Sequence, residues 1–193
     1  VNHPVSLYAA TKRSNELIAH SYSNLYNIPA TGLRFFTVYG PWGRPDMAPM
    51  IFAKAILKKE EISIFNSGKM SRDFTFIDDI VEVIWRCCKK PATPDKDFNM
   101  LNPNPYTSFA PHRIFNVGNS SSVNLMEFID MLEIEFGIEA KKVFKPLQPG
   151  DVEDTCANTK NIESWVNFTP NKSLKNGIKI FAEWFLDFYK DEL

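Results

Sequence analysis

Leu7, Ala10, Leu17, Ile18 and Leu25 recur near helical spacing, so Ser6 to Tyr26 reads as a helix that Asn27-Ile28-Pro29 ends. The short apolar run Ala30 to Phe36, with Gly32 and Arg34 inside it, predicts a buried strand. A loop rich in Gly and Pro follows, from Tyr39 to Pro45, too long and too aromatic for a mere linker. Met50 to Lys58 predicts a helix. Ile62 to Phe65 and Asp73 to Ile77 predict strands around a turn at Ser67-Gly68, and Asp78 to Lys89 a helix with acidic residues in its first turn. Pro91 to Pro111 is proline-rich and polar and has the look of a disordered insert. Arg113 to Val117 reads as a strand, Asn119 to Ser122 as a polar connection, and Leu125 to Phe136 as a helix closed by Gly137. A strand at Lys142 to Lys145 precedes Gln148-Pro-Gly-Asp151. The last helix, Leu174 to Tyr189, carries Leu174, Ile178, Phe181, Phe185 and Phe188 on one face. Strands alternating with helices predict an α/β architecture.

Composition narrows the classes. With 193 residues the chain can bury a sizeable core, and a net charge of −1 offers no basic field for nucleic acid or an anionic membrane. No apolar run approaches the roughly 20 residues a membrane span needs. Three cysteines (Cys87, Cys88, Cys156) lack metal-ligand spacing and read as reduced thiols, which points to a cytoplasmic setting. The terminal Lys190-Asp191-Glu192-Leu193 matches a retrieval signal of the endoplasmic reticulum, but no signal peptide is visible, so it reads as a coincidental helix end. The eight glycines form no G-x-x-G-x-x-G or G-x-G-x-x-G cluster.

The informative spacing is Tyr8-Ala-Ala-Thr-Lys12. Four residues apart on a helix, Tyr8 and Lys12 project from one face within reach of each other. A phenol is a weak base at neutral pH, and a neighbouring ammonium favours its phenolate, which can then remove a proton from a hydroxyl group. The same pair recurs on surface helices that catalyse nothing, so the spacing alone leaves both readings open.

The run Ser6-Leu-Tyr-Ala-Ala-Thr-Lys12, followed by Thr31-Gly-Leu-Arg-Phe-Phe-Thr-Val-Tyr-Gly-Pro-Trp-Gly-Arg-Pro-Asp-Met-Ala48, resembles the extended short-chain dehydrogenases that act on nucleotide sugars. Within them it looks closest to the UDP-glucuronate 4-epimerases. Further matches follow in family order: Phe65-Asn-Ser-Gly-Lys-Met-Ser-Arg-Asp-Phe-Thr75, Ile77-Asp-Asp-Ile80, Phe115-Asn-Val-Gly-Asn119 and Gln148-Pro-Gly-Asp-Val152. They cover nearly the whole chain.

The resemblance implies the C-terminal part of a Rossmann-type doubly wound parallel sheet plus a small α/β substrate-binding domain. Residues 1–45 would be the remainder of the NAD-binding domain. Residues 46–193 would mostly bind the sugar nucleotide, with about 73–117 returning to the Rossmann sheet. It implies NAD as cofactor and a UDP-sugar as substrate. The reaction it implies is inversion at C4 of UDP-glucuronate through a 4-keto intermediate, giving UDP-galacturonate. Tyr8 would be the acid/base, Lys12 would hold the nicotinamide ribose, and Phe36 would lie beside the nicotinamide. Thr37 and Arg44 would face the glucuronate carboxylate, Phe65 the uracil, Arg72 the diphosphate, and Gln148 and Asp151 the uridine ribose. A homodimer through the Tyr/Lys helix is implied for the complete enzyme.

Read singly, each of these residues also has a plain structural role. Phe65 equally reads as core, Arg72-Asp73 as a surface ion pair, Asp151 as a turn residue and Arg44 as solvated. The family's glycine loop and upstream Ser or Thr are absent, so these residues alone are expected to be catalytically incomplete and prone to self-association. A UDP-glucuronate decarboxylase, a nucleotide-sugar dehydratase and a non-catalytic sugar-nucleotide-binding protein remain the alternatives.

Overall fold

The computed structural model describes residues 3–192. Val1, Asn2 and Leu193, and with Leu193 the end of the retrieval-signal match, lie outside the described residues. In chain order the elements are α1 (Leu7–Tyr26), β1 (Ala30–Phe35), β2 (Thr37–Tyr39), α2 (Ala48–Leu57), β3 (Glu61–Ile64), β4 (Ser71–Phe76), α3 (Ile77–Lys89), β5 (His112–Val117), β6 (Ser122–Asn124), α4 (Leu125–Phe136), β7 (Lys141–Phe144), α5 (Lys160–Val166) and α6 (Leu174–Phe188). Among the described residues β1–β5, β2–β4 and β3–β7 pair in parallel and β4–β6 antiparallel, an α/β fold. No described helix is long and apolar enough to cross a membrane.

The chain divides into two compact units, and one of the boundaries falls inside α3. The first holds residues up to Phe35, Glu82–Val117 and Thr159–Phe168. Its parallel pair runs in register from Ala30 opposite His112 to Phe35 opposite Val117. The helix α1 begins where Ser6 Oγ accepts the amide of Ala9 and ends at Asn27, whose φ of 51° is left-handed. Its helical period is as read from the sequence, yet Ser23 is its only buried residue, and Leu17, Ile18, Leu25 and both Tyr22 and Tyr26 are exposed. Periodicity reports the helix; it does not report whether the apolar stripe is covered. The strand β1 departs from expectation in the same way, being half-buried rather than buried.

Pro91–Pro111, expected to be disordered, is a pinned loop instead. Asp95 accepts from the Thr107 hydroxyl (2.6 Å) and the amide of Asp97, while its own amide donates to the Ser108 carbonyl. Ser108 and Ala110 are buried, and Ser108 Oγ lies 2.6 Å from His20 Nε2. Short polar side chains that bond the nearby backbone give such a segment order without a helix or strand. The helix α5 had no counterpart in the sequence reading. Arg86 donates to the carbonyls of Val166 and Asn167 at its C-terminus, and Lys90 to that of Trp165.

The second unit holds Phe36–Val81, Gly118–Asn158 and the residues from Thr169 on. Its core joins Phe52 and Ile56 of α2, Ile62 and Ile64 of β3, Phe74 and Phe76 of β4, Phe128 and Leu132 of α4, and Ile178, Phe181 and Phe185 of α6. Phe74 and Phe128 stack at 4.4 Å between ring centroids. Gly177 lets α6 approach this core, since a Cβ there would collide with the Tyr39 hydroxyl. The expected turn between β3 and β4 is a tight one, with Asn66, Ser67 and Gly68 all at positive φ.

Candidate active site

Two cavities hold most of the residues singled out by sequence. In the second unit, a cavity of ≈ 530 Å³ is lined by Thr37, Phe65, Arg72, Gln148 and Asp151, together with Asp46, Glu61 and Ser63. Five side chains spread over more than a hundred positions thus meet on one concavity. The strand β4 delivers Arg72, and the tight turn after β3 carries Phe65. Gln148 and Asp151 come from the loop after β7.

Hydrogen bonds fix the cationic side of this cavity. Arg72 Nη1 donates to the carbonyl of Glu153 (2.8 Å) and Nη2 to Asp151 Oδ1 (3.0 Å). The Val152 amide also falls on Asp151 Oδ1, so Oδ2 carries no described hydrogen bond. The segment Glu153–Thr155 is itself laced to Ser71 by backbone bonds in both directions. Asp73 is fully buried, and its carboxylate accepts the amides of Asn119 (2.7 Å), Ser120 (3.0 Å) and Ala157 (2.9 Å). A Cβ on Gly118 would press on this carboxylate and on Ala157, so the close approach requires glycine. The sequence alternative of an Arg72-Asp73 surface pair is therefore replaced: Arg72 pairs with Asp151, and Asp73 is a buried anchor. Only its place beside Arg72 in the matched run marked it beforehand.

Arg44 does not line this cavity. It is exposed and donates to Asp46 Oδ1 at 2.7 Å and to Met47 Sδ at 3.4 Å, and those two neighbours do line it. Phe36 is half-buried and lines neither cavity, whereas Phe35 lines the one in the first unit.

That second cavity, of ≈ 540 Å³, is walled by Tyr8, Lys12 and Asn15 of α1, by Gly32 to Phe35 of β1, and by His112. Tyr8 is 71% exposed, and Lys12 Nζ stands 5.2 Å from its ring centroid. Glu16 closes the floor with a two-pronged bond from Arg34, Nε to Oε1 at 2.6 Å and Nη2 to Oε2 at 2.8 Å, and a third from Arg13. The Arg34 hydrogen bonds hold the Glu16 carboxyl below its ordinary value against the opposing effect of burial. Burial, and then His20, push His112 below the usual imidazole range. Neither Glu16 nor His112 was singled out by sequence, and no local spacing announces them.

The sequence model of the NAD dependent epimerase/dehydratase family matches residues 1–101, more than half of the chain. The chain belongs to the NAD dependent epimerase/dehydratase family. Among its relatives, Protein CapI of Staphylococcus aureus is 53% identical over 98% of this chain and 57% of its own length. UDP-glucuronate 4-epimerase 3 of Arabidopsis thaliana is 43% identical over 96% of this chain and 43% of its own length. The crystal structure of UDP-glucuronic acid 4-epimerase from Bacillus cereus, in complex with UDP-glucuronic acid and NAD, is similar with a TM-score of 0.81 at 30% identity, covering 97% of this chain and 55% of that one. The chain spans about half the length of the family members it matches.

Proposed function

We propose that this chain supplies the acid/base pair and the sugar-nucleotide site of an epimerase that inverts C4 of UDP-glucuronate. The convergence of Thr37, Phe65, Arg72, Gln148 and Asp151 on one cavity carries the reading. A flat aromatic ring, a clamped guanidinium and a carboxylate with one open oxygen are what a uracil, a diphosphate and a ribose hydroxyl require. Phe65 stacks on the base, and Arg72 offers the diphosphate the donors that Ser71, Glu153 and Asp151 leave unused. Asp151 Oδ2 and Gln148 take the ribose. Thr37 and Arg44 bind the sugar carboxylate, which exchanges with Asp46 as the partner of Arg44. A charged, two-pronged donor suits that task.

The first unit fits the reactive end of a dinucleotide. Lys12 presents an ammonium for a ribose, and Leu33 and Phe35 offer apolar wall beside Tyr8. No glycine loop for the pyrophosphate lies among the described residues. NAD, when bound, accepts and returns the C4 hydride. Tyr8 Oη removes the proton of the C4 hydroxyl and returns it to the C4 oxygen once the 4-keto sugar has turned its opposite face to the hydride, with the Lys12 ammonium standing beside the Tyr8 ring. The exposed apolar side of α1, with Leu17, Ile18, Tyr22 and Leu25, supports a homodimer through this helix.

The test is incubation of the active enzyme with UDP-glucuronate and NAD, with product identified by NMR. UDP-galacturonate supports the reading. A pentose nucleotide with release of CO₂ makes it a decarboxylase instead, and UDP binding without turnover makes it a binding protein.

A further inference from the structure

Trp165 of α5 is flanked by two cations, with the Arg113 guanidinium carbon 4.5 Å and Lys90 Nζ 4.3 Å from its ring centroid. The Lys90 ammonium has its partner, the Trp165 carbonyl at 2.8 Å. Arg113 is different. Its Nε is buried with no hydrogen-bond partner, and no carboxylate among the described residues forms an ion pair with it. Asp95 feels the Arg113 charge, but its two oxygens are occupied by the Asp97 amide and the Thr107 hydroxyl. A buried donor without an acceptor is costly and rare, and it calls for a partner.

The surroundings specify what that partner is. Arg113 and Trp165 line a cavity of ≈ 220 Å³ with Asn104, Thr107, Asn161 and Ser164. That space equals the share of about seven waters, enough for a phosphate or a small carboxylic acid. Asn104 Oδ1 already accepts the Tyr106 amide at 3.0 Å, which leaves its amide nitrogen as a donor. The side chains of Asn161 and Ser164 make no described hydrogen bond, and the Thr107 hydroxyl donates to Asp95. The lining therefore offers the amide nitrogens of Asn104 and Asn161 and the Ser164 hydroxyl as donors around one cation. A guanidinium held against an indole face keeps its edge for two-pronged bonding to a carboxylate or phosphate.

We propose that this cavity is a binding site for a small oxyanion, held by Arg113 with Asn104, Asn161 and Ser164 as neutral donors. None of its lining residues lines the Tyr8 or Arg72 cavity, so the inference stands whether or not the sugar-nucleotide reading does. The test is titration of the full chain with inorganic phosphate and, separately, with acetate, at ionic strength fixed by chloride. The Trp165 indole N–H resonance is the readout.

A saturable shift with either anion is expected. Phosphate alone assigns phosphate esters, acetate alone assigns carboxylic acids, and both assign the shared chemistry. Arg113→Gln should weaken the affinity at least about tenfold, as loss of a charge-assisted bond does. Asn161→Leu keeps the guanidinium and should weaken it less, so the inference stays testable if the first variant fails to fold. No saturable response to either anion overturns the proposal, as does an equal response to chloride or an unchanged affinity in both variants.

Discussion

The walls of the Arg72 cavity stand directly on a packed core, whereas those of the Tyr8 cavity stand on a helix with one buried residue. In the second unit, Arg72 shares the strand β4 with Phe74 and Phe76, which pack in the core with Phe128, Ile178 and Phe181, and Phe74 also lines the cavity. The backbone flanking Arg72 is tied down, by the Asp73 carboxylate on one side and by the Glu153–Thr155 lacing on the other. In the first unit, Tyr8 and Lys12 project from an exposed face of α1, and the fixed elements are the Glu16–Arg34 pair and the buried His112. Under the proposed function, the contrast separates two kinds of requirement. A site that must recognise a large polar ligand gains from being built in advance, because ordering side chains upon binding costs affinity. A pair that transfers a proton is defined by its mutual spacing, which one turn of helix already provides.

Removing the anchor should break the contrast most severely. Asp73→Ala leaves three backbone amides without their acceptor, and the second unit should lose at least about 3 kcal/mol, a factor above 100 in its folding equilibrium. Urea unfolding followed by tryptophan fluorescence reads this. A loss under 1 kcal/mol would mean that the three amides find other acceptors.

Tyr8→Phe is the matching change in the open unit, and stability should barely register it because the ring is exposed. In the active enzyme, turnover should instead fall at least about 100-fold with little change in UDP affinity. Steady-state kinetics beside calorimetry of UDP separate the two quantities. Near-normal turnover would remove Tyr8 from the chemistry.

A smaller effect sharpens the comparison inside the second unit. Arg44 is solvated where Arg72 is clamped, so Arg44→Ala should act on ligand choice and not on folding. We expect UDP-glucuronate to weaken about tenfold relative to UDP, the loss of one charge-assisted contact. Equal weakening of both ligands would assign Arg44 to the diphosphate.

The smallest effect concerns pH in the first unit. Folding keeps His112 neutral by burial, so the folded chain binds fewer protons than the unfolded one below the ordinary imidazole value of 6.5. Stability should therefore be level above that pH and fall as the pH drops below it. Glu16 acts lower on the scale: its contribution is present above the ordinary 4.5 and lost as the pH falls through its depressed folded value. Thermal unfolding at pH 8 and pH 5.5, with His112→Gln flattening the difference, checks the histidine. An unchanged slope in that variant would place the titration elsewhere.

Much of this molecule is set by local rules. The periods of α1, α4 and α6, the acidic start of α3 and the left-handed ends at Asn27 and Gly137 need only neighbours along the chain, and they are where the sequence puts them. The Tyr8–Lys12 spacing is local in the same sense. Short or irregular pieces escaped, namely β2, β6 and α5, because three to seven residues carry too little period to be read.

What only the tertiary structure decided is which groups meet and which are covered. Nothing along the chain tells Asp73 to accept amides from residues 46 to 84 positions away, or Arg72 to choose Asp151 over its neighbour. Nor does it tell the apolar side of α1 to remain exposed, or Asp95 and Ser108 to turn a proline-rich stretch into a fixed loop. Burial and long-range pairing depend on packing of distant segments, while sequence pattern encodes only the local period.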